Sequence, residues 1–244
     1  MAYSGRFVAE NEQGNGLCKL IQDEEGKIIG CHMLGNPASE LIVIAGIAIQ
    51  RGYTLEEFQK FIAGMSDPTA YAAFNILFWT GMREGELLAL TLADVDFERK
   101  GIFVRHSYAR LNGEDVISDP KTRRSKRFIT VPDFLLEIIR EYAAKLYEYQ
   151  PEERLFECTK YWLKEQLERC CQRTGVKVIR VHDIRHSHAS LLINMGTDAL
   201  LVQQRLGHEK ISTTLGTYAH LYPDRTNNVA DRLEALASPE EKKP

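Results

Sequence analysis

The sequence feature that most constrains the fold is a series of helix-start signals spaced along the chain. The run TLEE at Thr54 has the form of a capping box, in which Glu57 reaches back to the start of the helix. Asp67 and Pro68 fit the N-cap and the first turn of a second helix that runs to about Thr80. These signals predict that a new structural unit, built largely of helices, begins at Thr54.

Helical and extended patterns alternate in the next part of the chain. A helix is expected near Glu84 to Leu90. After it, the β-rich runs GIFVRHSY, DVISD and KRFITVP are separated by polar connections. Such short runs with polar turns are typical of antiparallel strands. The pattern predicts one small antiparallel sheet inside a mainly helical α+β domain.

Helices are predicted to dominate the chain after this sheet. One helix is indicated by apolar side chains at helical spacing, and Pro151 limits its continuation. The apolar residues are Leu135, Ile138, Ile139, Tyr142, Leu146 and Tyr149, and further helices are expected at about 160–174, 183–195, 198–206 and 212–219, with Gly175, Gly196 and Gly207 as C-terminal caps.

Composition excludes several classes of protein. The 244 residues suit one large domain, or one domain with a small appendage, at roughly 100 to 200 residues per domain. The longest apolar runs, Leu41 to Ile49 and Ala70 to Trp79, are far shorter than the roughly 20 residues that cross a bilayer. The N-terminus has no secretory signal pattern. We therefore expect a cytoplasmic protein with no membrane partner.

The cysteines do not indicate a disulfide framework or a zinc site. There are five of them, an odd number, and none has CxxC spacing. Reduced thiols are the expected state. Net charge gives little information, because a value of -3 only weakly disfavours general nucleic-acid binding and the distribution of charge matters more.

The first 53 residues have a pattern of their own. LCKLIQD and IIGCHML read as two strands around a polar turn, and ASELIVIAGIAIQRG reads as a helix. Residues 3 to about 53 resemble the dimerisation domain of dihydrolipoamide dehydrogenase and related flavin disulfide oxidoreductases. The motifs that carry this resemblance are SGRFVAENEQGNGLCKL, GKIIGCHMLG and ASELI. The match stops before that family's catalytic His-Pro segment, and the chain has no GxGxxG loop. We therefore expect no flavin chemistry.

Four further motifs occur in a fixed order: TGMREGELLALTLADVDF, PKTRRSKRFITVP, VHDIRHSHAS and LGHEKISTTLGTYAH. Together they resemble the catalytic domain of tyrosine site-specific DNA recombinases of the phage-integrase type. The resemblance divides the chain into a strand-strand-helix segment (1–53), a catalytic domain (54–238) and a charged tail (239–244). It implies a domain that cleaves and rejoins DNA strands.

Two arginines suit the charge that such a reaction develops. A phosphodiester under attack gathers negative charge on its nonbridging oxygens, which planar guanidinium groups hold with forked hydrogen bonds. Arg83 lies at a predicted turn before a helix, and Arg185 lies in the first turn of another. By resemblance both are catalytic, and Glu86 orients Arg83 rather than transferring a proton.

The nucleophile implied by the resemblance is Tyr218 in TYAH. A phenol has a pKa of about 10 and must lose its proton as the new bond forms. His182 precedes Arg185 by three residues, which places both on one helical face, and the resemblance gives it a general-base or phosphate-binding role. His208 is implied to bind the scissile phosphate.

The run KTRRSKR holds five cations in seven residues. Lys121 matches the family lysine that protonates the leaving 5' oxygen, and Arg124 and Lys126 are rivals for this role within the same run. The other four cations are predicted to contact the DNA backbone; they are Arg123, Arg124, Lys126 and Arg127.

Other histidines and tyrosines are given structural roles. His186, His188 and His220 are not paired with carboxylates or cysteines in a way that would indicate a metal centre. Tyr161 and Tyr222 are expected to place their rings in the core and their hydroxyls at its edge. A C-terminal helix with Val229, Leu233 and Leu236 on one face is expected to pack either on its own domain or on a neighbouring subunit.

The predicted function is site-specific recombination through a 3'-phosphotyrosyl intermediate, with double-stranded DNA as partner, a homo-tetramer on DNA and no cofactor. Members of the family carry a helical core-binding domain before the catalytic domain, where residues 1–53 stand here. Weaker DNA binding is therefore expected. The alternatives are a type IB topoisomerase-like enzyme, an inactive or DNA-binding remnant, and a flavin-enzyme dimerisation module.

Overall fold

The structure is a computed structural model that describes residues 17–22, 28–34, 52–119, 125–218 and 221–222. Its fold is α+β and mainly helical. The helices are α1 (Leu55–Ala63), α2 (Pro68–Thr80), α3 (Glu84–Leu88), α4 (Asp133–Ala143), α5 (Lys160–Thr174), α6 (Asp183–Asn194), α7 (Ala199–Leu206) and α8 (Ile211–Tyr218). The strands are β1 (Leu17–Gln22), β2 (Ile28–Leu34), β3 (Val95–Asp96), β4 (Gly101–Val104), β5 (Ser107–Leu111), β6 (Glu114–Ser118) and β7 (Arg127–Thr130).

The first two helices of the domain begin where the local sequence signals predict. Thr54 Oγ1 accepts from the backbone N–H of Glu57, and Glu57 Oε2 accepts from the backbone N–H of Thr54, at 3.1 and 2.8 Å. Asp67 caps α2 in the same way, because its Oδ1 accepts from the backbone of Ala70 at 2.9 Å. Both helix starts are confirmed.

The extended runs form two small sheets after α3, where one was predicted. Strands β3, β4 and β7 form an antiparallel sheet in that order, and β5 pairs with β6 as a separate hairpin. The run GIFVRHSY divides at Arg105 and His106, which are exposed. The run forms two strands because its first half, β4, pairs within the three-stranded sheet, whereas Tyr108 in its second half, β5, is buried next to α3.

The N-terminal strands are also paired. Strands β1 and β2 run antiparallel, with Leu17 opposite Leu34, which confirms the prediction of two neighbouring strands. The helix predicted from ASELIVIAGIAIQRG lies outside the described residues, as does the predicted C-terminal helix with Val229, Leu233 and Leu236.

Helix α4 is shorter than the apolar spacing suggests. It ends at Ala143, whereas the pattern continued to Tyr149. The chain turns away because Tyr149 has tertiary partners: its hydroxyl accepts from the backbone of Leu92 at 3.1 Å and donates to the carbonyl of Glu153 at 2.9 Å. Glu148 has a φ of 48°, which a helix does not allow.

Two hydrophobic clusters hold the domain together. The large one contains residues of α1 to α5 and of the three-stranded sheet, and aromatic pairs lie at its centre, including Phe58 stacked on Phe78 at 3.8 Å. The small one joins α6, α7 and α8, and consists of Ala189, Ile193, Val202, Leu206 and Tyr218. The ring of the predicted nucleophile is thus part of a core.

None of the helices in the described ranges is both long and apolar enough to cross a bilayer.

Candidate active site

Arg185 is buried where the C-terminal ends of two helices meet. It lies in the first turn of α6 and is 4% exposed. Its Nη1 donates to the carbonyl of Gly81 at 2.8 Å, and its Nη2 donates to the carbonyl of Leu206 at 2.6 Å. The ends of α2 and α7 carry partial negative charge, which stabilises a cation there. Burial, and then the charge of Arg83, lower the pKa of Arg185 to about 9, so it remains protonated at neutral pH.

Glycine is required at the end of α2. Gly81 has a φ of 65°, the left-handed region that side chains avoid. A Cβ at this position would also lie 2.5 Å from the ring of His188. The close approach between Gly81 and α6 is what brings the Gly81 carbonyl to Arg185.

Arg83 is more open than Arg185. It is the N-cap residue of α3, and its side chain is 38% exposed. Its Nη1 donates to Glu86 Oε1 at 2.7 Å, and its Nη2 lies 3.4 Å from the carbonyl of Gly207. These contacts fix the guanidinium while one face remains open to solvent. The predicted pairing of Glu86 with Arg83 is therefore present in the structure.

Glu86 is buried next to Arg83 and also binds Arg127. Arg127 Nη2 donates to Oε2 at 2.8 Å, and Arg127 Nη1 donates to Oε1 at 3.1 Å. Burial alone would raise the pKa of Glu86, but the hydrogen bonds and charge of Arg127, with the charge of Arg83, outweigh it and lower the pKa to about 2. Glu86 is a permanent carboxylate at neutral pH, which suits an orienting group.

The position of Arg127 differs from the prediction. The basic run suggested a DNA phosphate contact, but the Arg127 side chain is only 6% exposed. Its Nε donates to the carbonyl of Arg205 at 2.7 Å, in addition to the pair with Glu86. Gly207 has a φ of 69°, and a Cβ there would lie 2.9 Å from Arg127 Nη1. Arg127 is therefore a buried partner of Glu86 and not a surface cation.

Tyr218 ends α8 and is 3% exposed. Its hydroxyl oxygen lies 2.6 Å from Nδ1 of His186. Burial raises the pKa of Tyr218 to about 12, although the charge of Arg185 opposes the rise. The phenol is therefore neutral at rest, and it needs a proton acceptor before it can attack.

His182 and His208 both lie close enough to Arg185 to feel its charge. His182 is the exposed N-cap residue of α6, and its ring meets that of His186 edge-on at 5.4 Å between centroids. Burial and the charge of Arg185 lower the pKa of His182. His208 Nδ1 lies 2.8 Å from Thr214 Oγ1. Burial, followed by Arg185, lowers the pKa of His208 to about 3, so its ring is neutral.

The rest of the basic run is described only in part. Lys121, Arg123 and Arg124 lie outside the described residues. Lys126 is exposed, and its Nζ lies 2.9 Å from Asp119 Oδ2. The structure thus brings together five of the six predicted catalytic residues, and Lys121 stays a prediction.

The sequence model of the phage integrase family matches residues 54–225, well over half of the chain. The chain belongs to the phage integrase family. A second family model, the dimerisation domain of pyridine nucleotide-disulphide oxidoreductases, matches residues 1–74. The two matches overlap over α1 and the first half of α2, where Phe58, Phe61 and Phe74 are buried in the core of the integrase-family domain.

Relatives with this domain are named integrases and tyrosine recombinases. The chain is 33% identical over 196 residues to the ICEBs1 integrase of Bacillus subtilis strain 168, covering 74% of this chain and 53% of the relative. It is 28% identical over 211 residues to a XerC-like tyrosine recombinase of Caldanaerobacter subterraneus, with the same coverage. The chain spans about half the length of the curated relatives it matches.

Solved structures confirm the fold. The Tn1549 transposon integrase, in complex with circular intermediate DNA, superposes with a TM-score of 0.65 at 24% identity, covering 77% of this chain and 67% of that one. The catalytic domain of bacteriophage HP1 integrase gives 0.54 at 21% identity, covering 78% of this chain and 98% of that one. XerH recombinase bound to its difH substrate gives 0.54 at 26% identity, covering 79% and 55%.

Two polar residues of this integrase-family site were missed by sequence reasoning. The sequence predicts a structural role for His186, yet this residue contacts the Tyr218 hydroxyl. Its position four residues after His182 on one helical face was a signal that could have been used. The sequence motifs did not single out Arg205, yet its side chain donates to the carbonyl of Trp79 and to His188 Nε2, at 3.0 and 2.9 Å.

Proposed function

We propose that the protein is a site-specific DNA recombinase that integrates or excises a mobile element. Tyr218 attacks a DNA phosphate, forms a 3'-phosphotyrosyl link and releases a 5' hydroxyl. A 5' hydroxyl from a partner strand then reverses the step. The covalent link keeps the energy of the phosphodiester, so neither a nucleotide nor a metal is needed. The observation that carries this proposal is the buried hydroxyl of Tyr218, which contacts His186 and feels the charge of Arg185 inside the region of the family match.

The two arginines would bind the scissile phosphate. Each terminal guanidinium nitrogen has two hydrogens, and the two backbone carbonyls bound by Arg185 use one hydrogen from each. Within the described part of the chain these carbonyls leave the second hydrogen of each nitrogen unused, and we expect those hydrogens to face a phosphate oxygen. Arg83 offers its open side while Glu86 fixes its position. Charge of this kind, held in place before the reaction, stabilises a phosphorane-like transition state without reorganisation.

The histidines would supply hydrogen bonds of defined direction. If Nδ1 of His208 accepts from the Thr214 hydroxyl, the ring proton sits on Nε2 and can be donated to the phosphate. His182 is exposed at the mouth of the site and is assigned to phosphate binding or base catalysis. Lys121 is assigned to protonate the leaving 5' oxygen.

The wider interaction follows from the same assignments. Arg123, Arg124 and Lys126 would contact backbone phosphates of double-stranded DNA, and the active assembly would be a homo-tetramer in the cytoplasm. The catalytic domain would span 54–238, with residues 1–53 a separate segment and 239–244 a tail. Gly52 and Tyr53 extend it slightly, since the Tyr53 backbone N–H donates to Ser187 Oγ on α6 at 2.7 Å.

A covalent-trapping experiment tests this function. The full chain is mixed with a nicked suicide duplex built from the ends of the element that carries the gene, and SDS-resistant adducts are measured. We expect an adduct with the wild type and none with Tyr218→Phe, because the attacking oxygen is gone.

Tyr222→Phe is the matched control, since this tyrosine packs against the same small cluster and its hydroxyl has no hydrogen-bond partner in the described part of the chain. It should form the adduct normally. An adduct that persists in Tyr218→Phe would remove Tyr218 as the nucleophile. DNA binding without any adduct would favour a regulator, and supercoil relaxation without strand exchange would favour a topoisomerase-like enzyme.

A further inference from the structure

The hydroxyl of Tyr218 already has a basic partner. Nδ1 of His186 lies 2.6 Å from it, and the two rings are tilted by 58° with their centroids 5.6 Å apart. This distance is within the reach required for direct proton transfer. His186 lies in the second turn of α6, which also carries His182 and Arg185. One helix therefore holds a phosphate-binding arginine and a base for the nucleophile.

We propose that His186 is the catalytic residue that takes the proton from Tyr218. This inference rests on the proposed function, in which Tyr218 is the nucleophile. It departs from the sequence analysis, in which the resemblance gave His182 a general-base or phosphate-binding role and His186 was expected to be structural. His182 then retains the phosphate-binding role.

Other nearby bases are engaged elsewhere. Glu86 is held by Arg83 and Arg127, at 2.7 and 2.8 Å. The carboxylate of Asp183 receives Nε and Nη2 of Arg180, at 2.9 and 2.7 Å.

His208 is engaged as well, because its Nδ1 is paired with Thr214. Among these neighbouring groups, His186 is the one whose ring nitrogen is directed at the attacking oxygen.

The proton balance is simple. His186 begins as the neutral tautomer with its proton on Nε2, so that Nδ1 can accept. As the bond between Tyr218 Oη and phosphorus forms, the phenol proton moves to Nδ1. The bond from phosphorus to the 5' oxygen breaks, and that oxygen takes a proton from Lys121. In rejoining, the incoming 5' hydroxyl gives its proton to the neutral Lys121 as its oxygen bonds to phosphorus. The bond from phosphorus to Tyr218 Oη breaks, and the imidazolium of His186 returns its proton to the departing phenolate.

A matched pair of substitutions separates basicity from packing. His186→Asn and His186→Asp have side chains of equal size that place an oxygen close to the position of Nδ1. Asn can accept a hydrogen bond but cannot hold the proton, whereas Asp can hold it. His106→Asn, at an exposed position between β4 and β5, is the surface control.

The readout is the rate of covalent adduct formation on two suicide duplexes. One has the natural 5' oxygen at the scissile position, and the other has a bridging sulfur, which leaves without protonation. For His186→Asn we expect a rate about 100-fold below wild type on both duplexes, the lower range for loss of general-base catalysis. His186→Asp should be about tenfold faster than His186→Asn on both. DNA binding and thermal melting of the two variants should match each other.

Each outcome has a separate meaning. A rate for His186→Asn that equals wild type or His186→Asp would overturn the inference while the recombinase function stands. If the adduct rate of His186→Asn returned to the wild-type value on the sulfur duplex but not on the oxygen duplex, His186 would act on the leaving group. That result would also overturn the inference. Absence of any adduct with the wild type would instead overturn the proposed function itself.

Discussion

Two ends of one short segment lie in opposite environments. At the surface, Lys126 forms an exposed ion pair with Asp119 next to the β5–β6 hairpin. One residue later, Arg127 turns inward and binds the carboxylate of Glu86 beneath Arg83. The sequence presents these two cations as equivalent members of a basic run, but the fold uses them differently.

The contrast between Lys126 and Arg127 shows that a cation in this segment can be either hydrated at the surface or paired in the interior. An exposed cation loses little by staying hydrated and is available to a phosphate. A buried cation must be paired, and once paired it stabilises the groups around it. Here the buried ion pair between Glu86 and Arg127 lies next to Arg83, so the position of the more exposed Arg83 depends on a buried charge.

The largest expected effect comes from the buried end. Arg127→Met should lower the free energy of unfolding by about 3–5 kcal/mol, the range for leaving one partner of a buried ion pair uncompensated. Urea unfolding measures it. Adding Glu86→Gln to Arg127→Met should recover part of the loss, because the uncompensated charge is then removed. A loss below about 1 kcal/mol would show that Arg127 behaves like a surface cation.

The free energy of unfolding at acid pH should also depend on the ion pair between Glu86 and Arg127. The pKa of Glu86 is lowered from 4.5 to about 2 in the folded protein. Its stabilising contribution is therefore complete above the unfolded value of 4.5 and is lost as pH falls towards 2. The loss should be about 3 kcal/mol.

Urea unfolding of wild type and Glu86→Gln across this acid range measures the contribution. Wild type should lose stability more steeply than the variant. Parallel curves for the two proteins would mean that the pair with Arg127 does not depend on the charge of Glu86.

The smallest effect on stability is expected at the exposed end. Lys126→Ala should leave urea unfolding unchanged, because exposed ion pairs contribute little. It should instead weaken binding to DNA of any sequence and reduce the slope of log affinity against log salt by about 1. Binding titrations at several salt concentrations measure this slope. An unchanged slope would remove Lys126 from the DNA contact surface.

Local chemistry made part of this molecule predictable. The helix starts at Thr54 and Asp67 depend on side chains within three residues, so the sequence alone was enough. The family was predictable for another reason: each of its four motifs is short, and their order is characteristic.

Features that depend on distant partners were not predictable. Helix α4 ends at Ala143 because Tyr149 bonds Leu92, which is 57 positions away in sequence. Arg127 is buried because Glu86 lies under it, and a run of charged letters does not reveal which member turns inward. His186 was missed because its partner, Tyr218, lies 32 positions further along the chain.

The junction of helix ends around Arg185 has a consequence for how such genes decay. The carbonyls of Gly81 and Leu206 need a hydrogen-bond donor in the interior whether or not DNA is ever cut. In the described part of the chain, the hydroxyl of Tyr218 contacts the ring of His186 and bonds no helix end. In gene copies that are no longer selected for strand transfer, substitutions should therefore accumulate at Tyr218 before they accumulate at Arg185. Such a copy would keep its fold and its buried arginine after it had lost the ability to cut DNA.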